Sequence, residues 1–339
     1  MRYKQFLKQL PKKDGVVFFN EPLSSHCSFK IGGTAKYFVV VHNTQTLLQL
    51  FSKTKKVFVL GLGTNTLFAN KFFRGTIVKL GGNFLKTRCK NNTIIAGAGL
   101  SLFSLAKILR EKELGGLEFA FGIPGTVGGA VLMNAGAFED EIGNYVEKVK
   151  IFNGKSVFWT KNFNFSYRNS SFKQNKQIIL AVKFKLKKLP SEKIFALQKE
   201  YMSRRRNSQP YGEASAGSVF KRIIKQGEIL YPAKMIDNLG LKGVKIGDAK
   251  ISEKHAGFIV NTNDAKFNDV YKLIKQIKRI VKKETGESLE EEIVFFRGKR
   301  NDYFRRLPHP HNLFQRKTQL KTCKGNNLRK RSCRKAKRA

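Results

Sequence analysis

No run of about 18 or more apolar residues occurs in this 339-residue chain, so no membrane-spanning helix is expected. The N-terminal stretch MRYKQFLKQLPKKDG has too short an apolar centre for a secretory signal. Cysteine is scarce: Cys27, Cys89, Cys323 and Cys333 lie far apart, without the spacing of metal ligands. That argues for a reducing cytoplasm and against a metal site. Acid is scarce as well, with 24 Asp and Glu against 66 Lys and Arg, a formal net charge of +42. Sixteen of those bases and one acid, Asp302, fall between Arg297 and Ala339, a tail suited to touching nucleic acid or an anionic membrane surface. No RRM, KH or zinc signature accompanies the charge, so nucleic-acid binding is not expected as the main function. Internal repeats, coiled-coil heptads and apolar interface stripes are also missing, and a monomer is the expectation.

What is present is a succession of short elements in a chain longer than one core usually supports. KYFVVVHN reads as a strand, TQTLLQLFSK as a short amphipathic helix, and VFVLGLGTNTLFAN as a strand running into a glycine turn. TIIAGAG comes after these, then SLFSLAKILREKEL, whose apolar residues recur at helical spacing. Next is EFAFGIPGTVGGAVLMNAGAF, small and nearly uncharged, and then the strand-like runs YVEKVKIFNG, KSVFWT and QIILAVKFKLKKL. EKIFALQKEYMSRRR reads as a basic helix, YPAKMIDNLGLKG as a helix with a glycine stop, and HAGFIVN as a strand. FNDVYKLIKQIKRIVKKETG is a long amphipathic helix closed by Gly286, and IVFF at 293–296 a last strand. Beyond about residue 299 periodicity fades and the chain reads as a disordered tail. Several strands with few long helices point to α+β and not to a doubly wound sheet.

Two glycine turns stand out. GLGTN, Gly61 to Asn65, follows the strand VFVL, and its glycines let backbone N–H groups converge on an anion such as a pyrophosphate. It lacks the third glycine and the ribose-binding acid of a dinucleotide fingerprint, so alone it reads first as a plain tight turn. In GIPGTVGGA, Gly122 to Ala130, Pro124 fixes a bend while Gly125, Gly128 and Gly129 open the backbone. Alone it is equally a dry packing turn; together the two could grip one elongated ligand with a pyrophosphate and a flat ring. In SYRNSSF, Arg168 stands between aromatics, able to bind a carboxylate or phosphate by its fork or to sit in a surface salt bridge. Ser218, in AGSVFK, has small neighbours but no G-x-S-x-G elbow. It is therefore no acyl nucleophile, though it could donate a proton with Lys221 and the nearby arginines stabilising its conjugate base. In LEEEIVFF, alternation puts Glu290 and Glu292 on one face and Glu291 on the other, a pattern that a solvated corner would also give.

Taken in order, the motifs resemble those of the flavoprotein family of UDP-N-acetylenolpyruvoylglucosamine reductases (UDP-N-acetylmuramate dehydrogenases), in its shorter subtype without the tyrosine-loop insertion. The likeness runs through HCSFKIGGTAKYF, VLGLGTNTLF, GLEFAFGIPGTVGGAVLMNAGAF, YRNSSF, QPYGEASAGSVFK, AKMIDNLGLKGVKIGDAKISEKHAGFIVN and LEEEIVFF, nearly the whole chain short of the tail. The resemblance implies an α+β fold. Residues 1–84 and 85–201 would form a two-subdomain FAD-binding unit of the vanillyl-alcohol-oxidase (PCMH) type, to which the final strand 291–297 returns. Residues 202–290 would form an α+β substrate-binding domain, and 299–339 the basic tail.

The same resemblance implies non-covalent FAD, held by Gly61, Gly63, Thr64 and Asn65 on one side. Gly122, Ile123, Pro124, Gly125, Thr126, Gly128, Gly129, Asn134, Ala135 and Gly136 would lie on the other. NADPH would be the hydride donor, and the enolpyruvyl ether of a nucleotide sugar would be reduced to UDP-N-acetylmuramate in cytoplasmic peptidoglycan precursor synthesis. Hydride would arrive from flavin N5 and the proton from Ser218, with the enolate stabilised by Arg168 and Glu292; Lys221, Arg206 and Gln209 would bind substrate. The chain departs from the family pattern at Arg222, where Asn is usual, at Glu291, where proline is usual, and at Asp248, where glycine is usual. Competing readings are another FAD oxidoreductase of the same fold, which leaves the Arg168, Ser218 and Glu292 set unexplained, and a degenerate relative that binds nucleic acid through its tail.

Overall fold

The computed structural model describes residues 3–54, 56–299 and 302; apart from Lys299 and Asp302, the tail 299–339, with Cys323 and Cys333, lies outside the described residues. The apolar run in Thr34–Val41 has a partner on each side. Gly15–Pro22 pairs with it antiparallel and Phe73–Leu80 parallel, with Val57–Val59 parallel beyond. The helix Thr44–Lys53 starts at Asn43, whose side chain accepts from the Thr46 N–H, and buries Leu47, Leu50 and Phe51.

A second sheet has five antiparallel strands, in the order Val157–Thr160, Val146–Phe152, Ile178–Lys185, Thr93–Gly97 and Thr87–Lys90. Period-two side chains, Ile94 and Ala96, Val149 and Ile151, Val182 and Phe184, enter one core with the helices Leu102–Glu111 and Val127–Leu132. A third sheet orders Ala214–Ser218, Phe258–Asn261, Ala249–Ile251 and Lys245–Ile246, all antiparallel. Across it lies the helix Phe267–Thr285, which buries Val270, Leu273, Ile274, Ile277 and Val281 and stops at Gly286 with φ +74°. The strand Val294–Phe296 then pairs parallel with Thr66–Phe68. One buried core runs through Phe29, Phe38 and Phe68 to Ile236, Ile259, Leu273 and Phe296.

Periodicity does not announce the strands Gly15–Pro22 and Phe73–Leu80, nor the short helix Val127–Leu132 in the small-residue stretch. That helix contains Gly128 and Gly129, poor helix formers. Packing requires the first: a Cβ on Gly128 would lie 2.8 Å from the Ala98 Cβ. Among the described residues no helix is long and apolar enough to cross a membrane, and no group of His, Cys, Asp and Glu could hold a metal ion.

Candidate active site

The turn Gly61–Asn65 connects the strands Val57–Val59 and Thr66–Phe68. Gly63 has φ +68°, and a Cβ there would stand 2.3 Å from the His26 carbonyl oxygen, so no side chain fits. None of the backbone N–H groups from Gly61 to Asn65 has an acceptor among the described residues. The second turn folds onto this one. Thr64 Oγ1 donates to the Pro124 carbonyl at 2.7 Å, and a Cβ on Gly61 would meet Thr126 Oγ1 at 2.9 Å.

In the second turn some donors are engaged and others are free. The N–H groups of Val127 and Gly128 donate to the Leu100 and Ala98 carbonyls, and that of Gly129 donates to Thr126 Oγ1 at 3.1 Å. Ile123 donates its N–H to the Ala120 carbonyl, Ala135 donates to Ala130, and Gly125 accepts from Leu102. The first turn therefore offers free donors throughout, and in the second, held close to it, the N–H groups of Gly122, Gly125 and Thr126 have no acceptor among the described residues. Free donors on a backbone that tolerates only glycine fit the pyrophosphate of FAD. Gly122 has φ +84°, and a Cβ on it would lie 3.1 Å from both the Arg205 Cδ and the Met202 Cε. Asn134 is fully buried with its amide engaged: Nδ2 donates to the Ser166 carbonyl at 3.2 Å, and Oδ1 accepts from the Gly143 N–H at 3.0 Å. Its side chain thus braces the loop that carries Arg168.

Arg168 sits at the tip of a tight turn closed by the Ser166–Asn169 bridge, with φ +54°. Its Nε donates to Glu292 Oε1 at 2.6 Å and its Nη2 to the Gly136 carbonyl at 3.3 Å. Glu292 is fixed by its own backbone: its N–H donates to the Val219 carbonyl at 2.7 Å, and its carbonyl accepts from Asn65 Nδ2 at 3.3 Å. Val219 follows Ser218, and Asn65 ends the first glycine turn, so three distant segments converge on Glu292. Ser218 closes the strand Ala214–Ser218, where the register against Phe258–Asn261 slips and Gly217 takes φ +77°, a bulge at the serine. The Ser218 hydroxyl is half-buried and donates to the Phe220 carbonyl at 3.4 Å.

The three glutamates divide by face. Glu290 pairs with Lys221 and Glu292 with Arg168, whereas Glu291 pairs with Lys278 of the long helix. Two further cations, Lys173 and Arg222, lie against the Tyr167–Arg168 turn. Lys173 Nζ lies 3.4 Å from the Arg168 carbonyl; burial lowers its pKa, with a further push from Lys221. Arg222 stacks over the Tyr167 ring at 4.2 Å and donates its N–H to the Tyr167 hydroxyl at 3.3 Å.

Two expected substrate residues stand apart from this group. Arg206 is exposed with its guanidinium over Tyr211, and Gln209 caps the helix Ser191–Ser208 by donating its N–H to the Arg205 carbonyl. Neither bonds to Arg168, Ser218 or Glu292 among the described residues. The adjacent Arg205 is the buried arginine of that helix, 7% exposed. Its phase with Ile194 and Gln198, the other buried residues of the helix, is the sequence signal for it.

Residues 35–158 match the FAD binding domain family, and residues 209–296 match the UDP-N-acetylenolpyruvoylglucosamine reductase C-terminal domain. The chain is 44% identical over 277 residues to the UDP-N-acetylenolpyruvoylglucosamine reductase of Thermotoga sp. (strain RQ2), covering 80% of this chain and 91% of that protein. It is 43% identical over 285 residues to the reductase of the same name from Thermotoga maritima, covering 83% and 99%. The crystal structure of UDP-N-acetylenolpyruvylglucosamine reductase from Thermus caldophilus matches with a TM-score of 0.71 at 31% identity, over 83% of this chain and 98% of that one. With an FAD-binding unit and a C-terminal reductase domain in one α+β fold, the chain belongs to the UDP-N-acetylenolpyruvoylglucosamine reductase family of FAD-dependent oxidoreductases.

Proposed function

We propose that the protein reduces the enolpyruvyl ether of UDP-N-acetylenolpyruvoylglucosamine to UDP-N-acetylmuramate with NADPH, as a cytoplasmic, monomeric enzyme of peptidoglycan precursor synthesis. One observation carries this reading: the Arg168–Glu292 pair is tied through Val219 to Ser218 and through Asn65 to the free donors of the first glycine turn. FAD, when bound, supplies the carrier that takes hydride from NADPH and passes it to the vinyl carbon. The chain's own work is charge and proton handling. Negative charge then builds next to the substrate carboxylate, and Arg168, anchored on Glu292 and Gly136, meets it with a preoriented cation. Ser218 gives the proton to the α-carbon, and its departing charge is met by the nearby cations. Lys221, Arg206 and Gln209 serve the nucleotide sugar, residues 1–84 and 85–201 the cofactor, and residues 202–290 the substrate.

The test is spectroscopic. Purified protein should be yellow, bleach with NADPH, and recolour anaerobically on addition of UDP-N-acetylenolpyruvoylglucosamine. Recolouring by oxygen alone would point to an oxidase, and failure to take up FAD to a degenerate relative. Ser218→Ala should keep FAD and bleach normally with NADPH, while recolouring slows by about 10²–10⁴-fold. A variant that recolours at the wild-type rate removes Ser218 from proton transfer.

A further inference from the structure

Among the described residues, Arg205 is a buried cation without a counter-ion. It lies on the inner face of the helix Ser191–Ser208, anchored two turns upstream by Gln198, whose amide donates to the Ala106 carbonyl at 3.0 Å. Its stem passes the second glycine turn, where a Cβ on Gly122 would lie 3.1 Å from its Cδ. The guanidinium stands over the Phe138 ring at 5.2 Å and makes one long hydrogen bond, from Nη2 to the Phe119 carbonyl at 3.5 Å. Its Nε is buried without a partner, and no carboxylate pairs with it among the described residues. The charge it feels is Arg168, of like sign; burial first, and then that neighbour, lower its pKa to about 10. An unpaired buried guanidinium is costly, and a second one nearby adds to the cost. Arg168 already has Glu292. The unmet demand for an anion therefore belongs to Arg205.

We propose that Arg205 is a second substrate-binding guanidinium, which with Arg168 holds the carboxylate of the enolpyruvyl group. This rests on the reductase reading above. A carboxylate between the two arginines would relieve their repulsion and give Arg205 the charged hydrogen bonds it lacks. The loop between them fits this placement: Gly136 accepts from Arg168, and the Phe138 ring lies under Arg205.

The experiment compares wild type, Arg205→Gln and Arg205→Lys, all FAD-loaded. Bleaching by NADPH is followed for each, and each is separately titrated in the oxidised state, where the substrate is not consumed, with the enolpyruvyl substrate and with UDP-N-acetylglucosamine, which keeps the diphosphate but has no carboxylate. The Gln variant should bleach with NADPH as wild type does and bind UDP-N-acetylglucosamine unchanged. It should bind the enolpyruvyl substrate about 10- to 100-fold more weakly, with partial rescue by added guanidinium ion. The Lys variant, which keeps charge and stem, should fall between the two and serves if the Gln variant does not fold. Equal weakening for both ligands would place Arg205 on the diphosphate and overturn the proposal. Slower bleaching by NADPH, or an unchanged affinity for the enolpyruvyl substrate, would overturn it as well. If wild type itself fails to recolour with the enolpyruvyl substrate, the reductase reading fails first, whatever the variants do.

Discussion

Arg168 occupies backbone space that L residues avoid, with φ +54°. That conformation costs on the order of 1 kcal/mol. Its bond to Glu292 does no more than offset that cost: the two side chains are 22% and 15% exposed, and an ion pair that sees water contributes about 1 kcal/mol or less to stability. The arrangement therefore makes sense as orientation for a ligand. Arg168→Lys isolates this, because an ammonium cannot reach Glu292 and Gly136 together as the fork does. Tm should stay within a few degrees of wild type. Recolouring by the enolpyruvyl substrate should slow by about 10²-fold, and a wild-type rate would show that the fork has no catalytic consequence. At this scale Arg168, Ser218 and Glu292 are legible through their motifs, although each residue alone is open to a plainer explanation. In the run Arg204, Arg205, Arg206 the residues are chemically identical, and only helical phase distinguishes the buried Arg205 from its exposed neighbours.

Elements are legible where one physical signal dominates. The helices Thr44–Lys53 and Phe267–Thr285 follow their apolar period, and Gly286 stops the second. The helix Val127–Leu132 is hidden because tertiary contacts, the Thr126 cap and the Ala98 approach, overrule the poor propensity of two glycines. Glycines with positive φ also differ in what surrounds them. At Gly286 nothing lies within 4 Å of the position a methyl group would take, so Gly286→Ala meets only the backbone penalty, about 1 kcal/mol, and should keep its FAD. At Gly63 the same substitution puts carbon 2.3 Å from the His26 carbonyl oxygen and 2.8 Å from the Cys27 Cα, atoms of backbone that cannot step aside. Gly63→Ala should lose about 3 kcal/mol or more and elute from gel filtration with little or no FAD absorbance. Full FAD occupancy in Gly63→Ala would mean that this turn does not shape the cofactor site.

Across the whole molecule, local periodicity could not show that Asn65, Val219 and Glu292 meet, since each bond joins segments far apart in sequence. The strand Val294–Phe296 makes the closure, and the residues just beyond it hold that strand in place. Phe296 packs against Phe58, Phe68 and Phe73 with ring centroids 4.5, 5.3 and 4.9 Å away. Arg297 lies over the rings of Tyr271 and Phe295, and Asp302 Oδ2 accepts from the N–H groups of both Arg297 and Lys299. The useful boundary for removing the basic tail is therefore after Asp302. That truncation removes thirteen Lys and Arg and no acid. It should leave FAD content, Tm and turnover unchanged and shift elution from heparin to lower salt, because fewer cations remain to displace counter-ions. Truncation after Phe296 should instead lower Tm and slow recolouring by the enolpyruvyl substrate, because the strand that fixes Glu292 loses its Arg297 and Asp302 contacts. If the longer protein, cut after Asp302, already loses turnover, the tail takes part in the reaction and its charge has to be counted with the site.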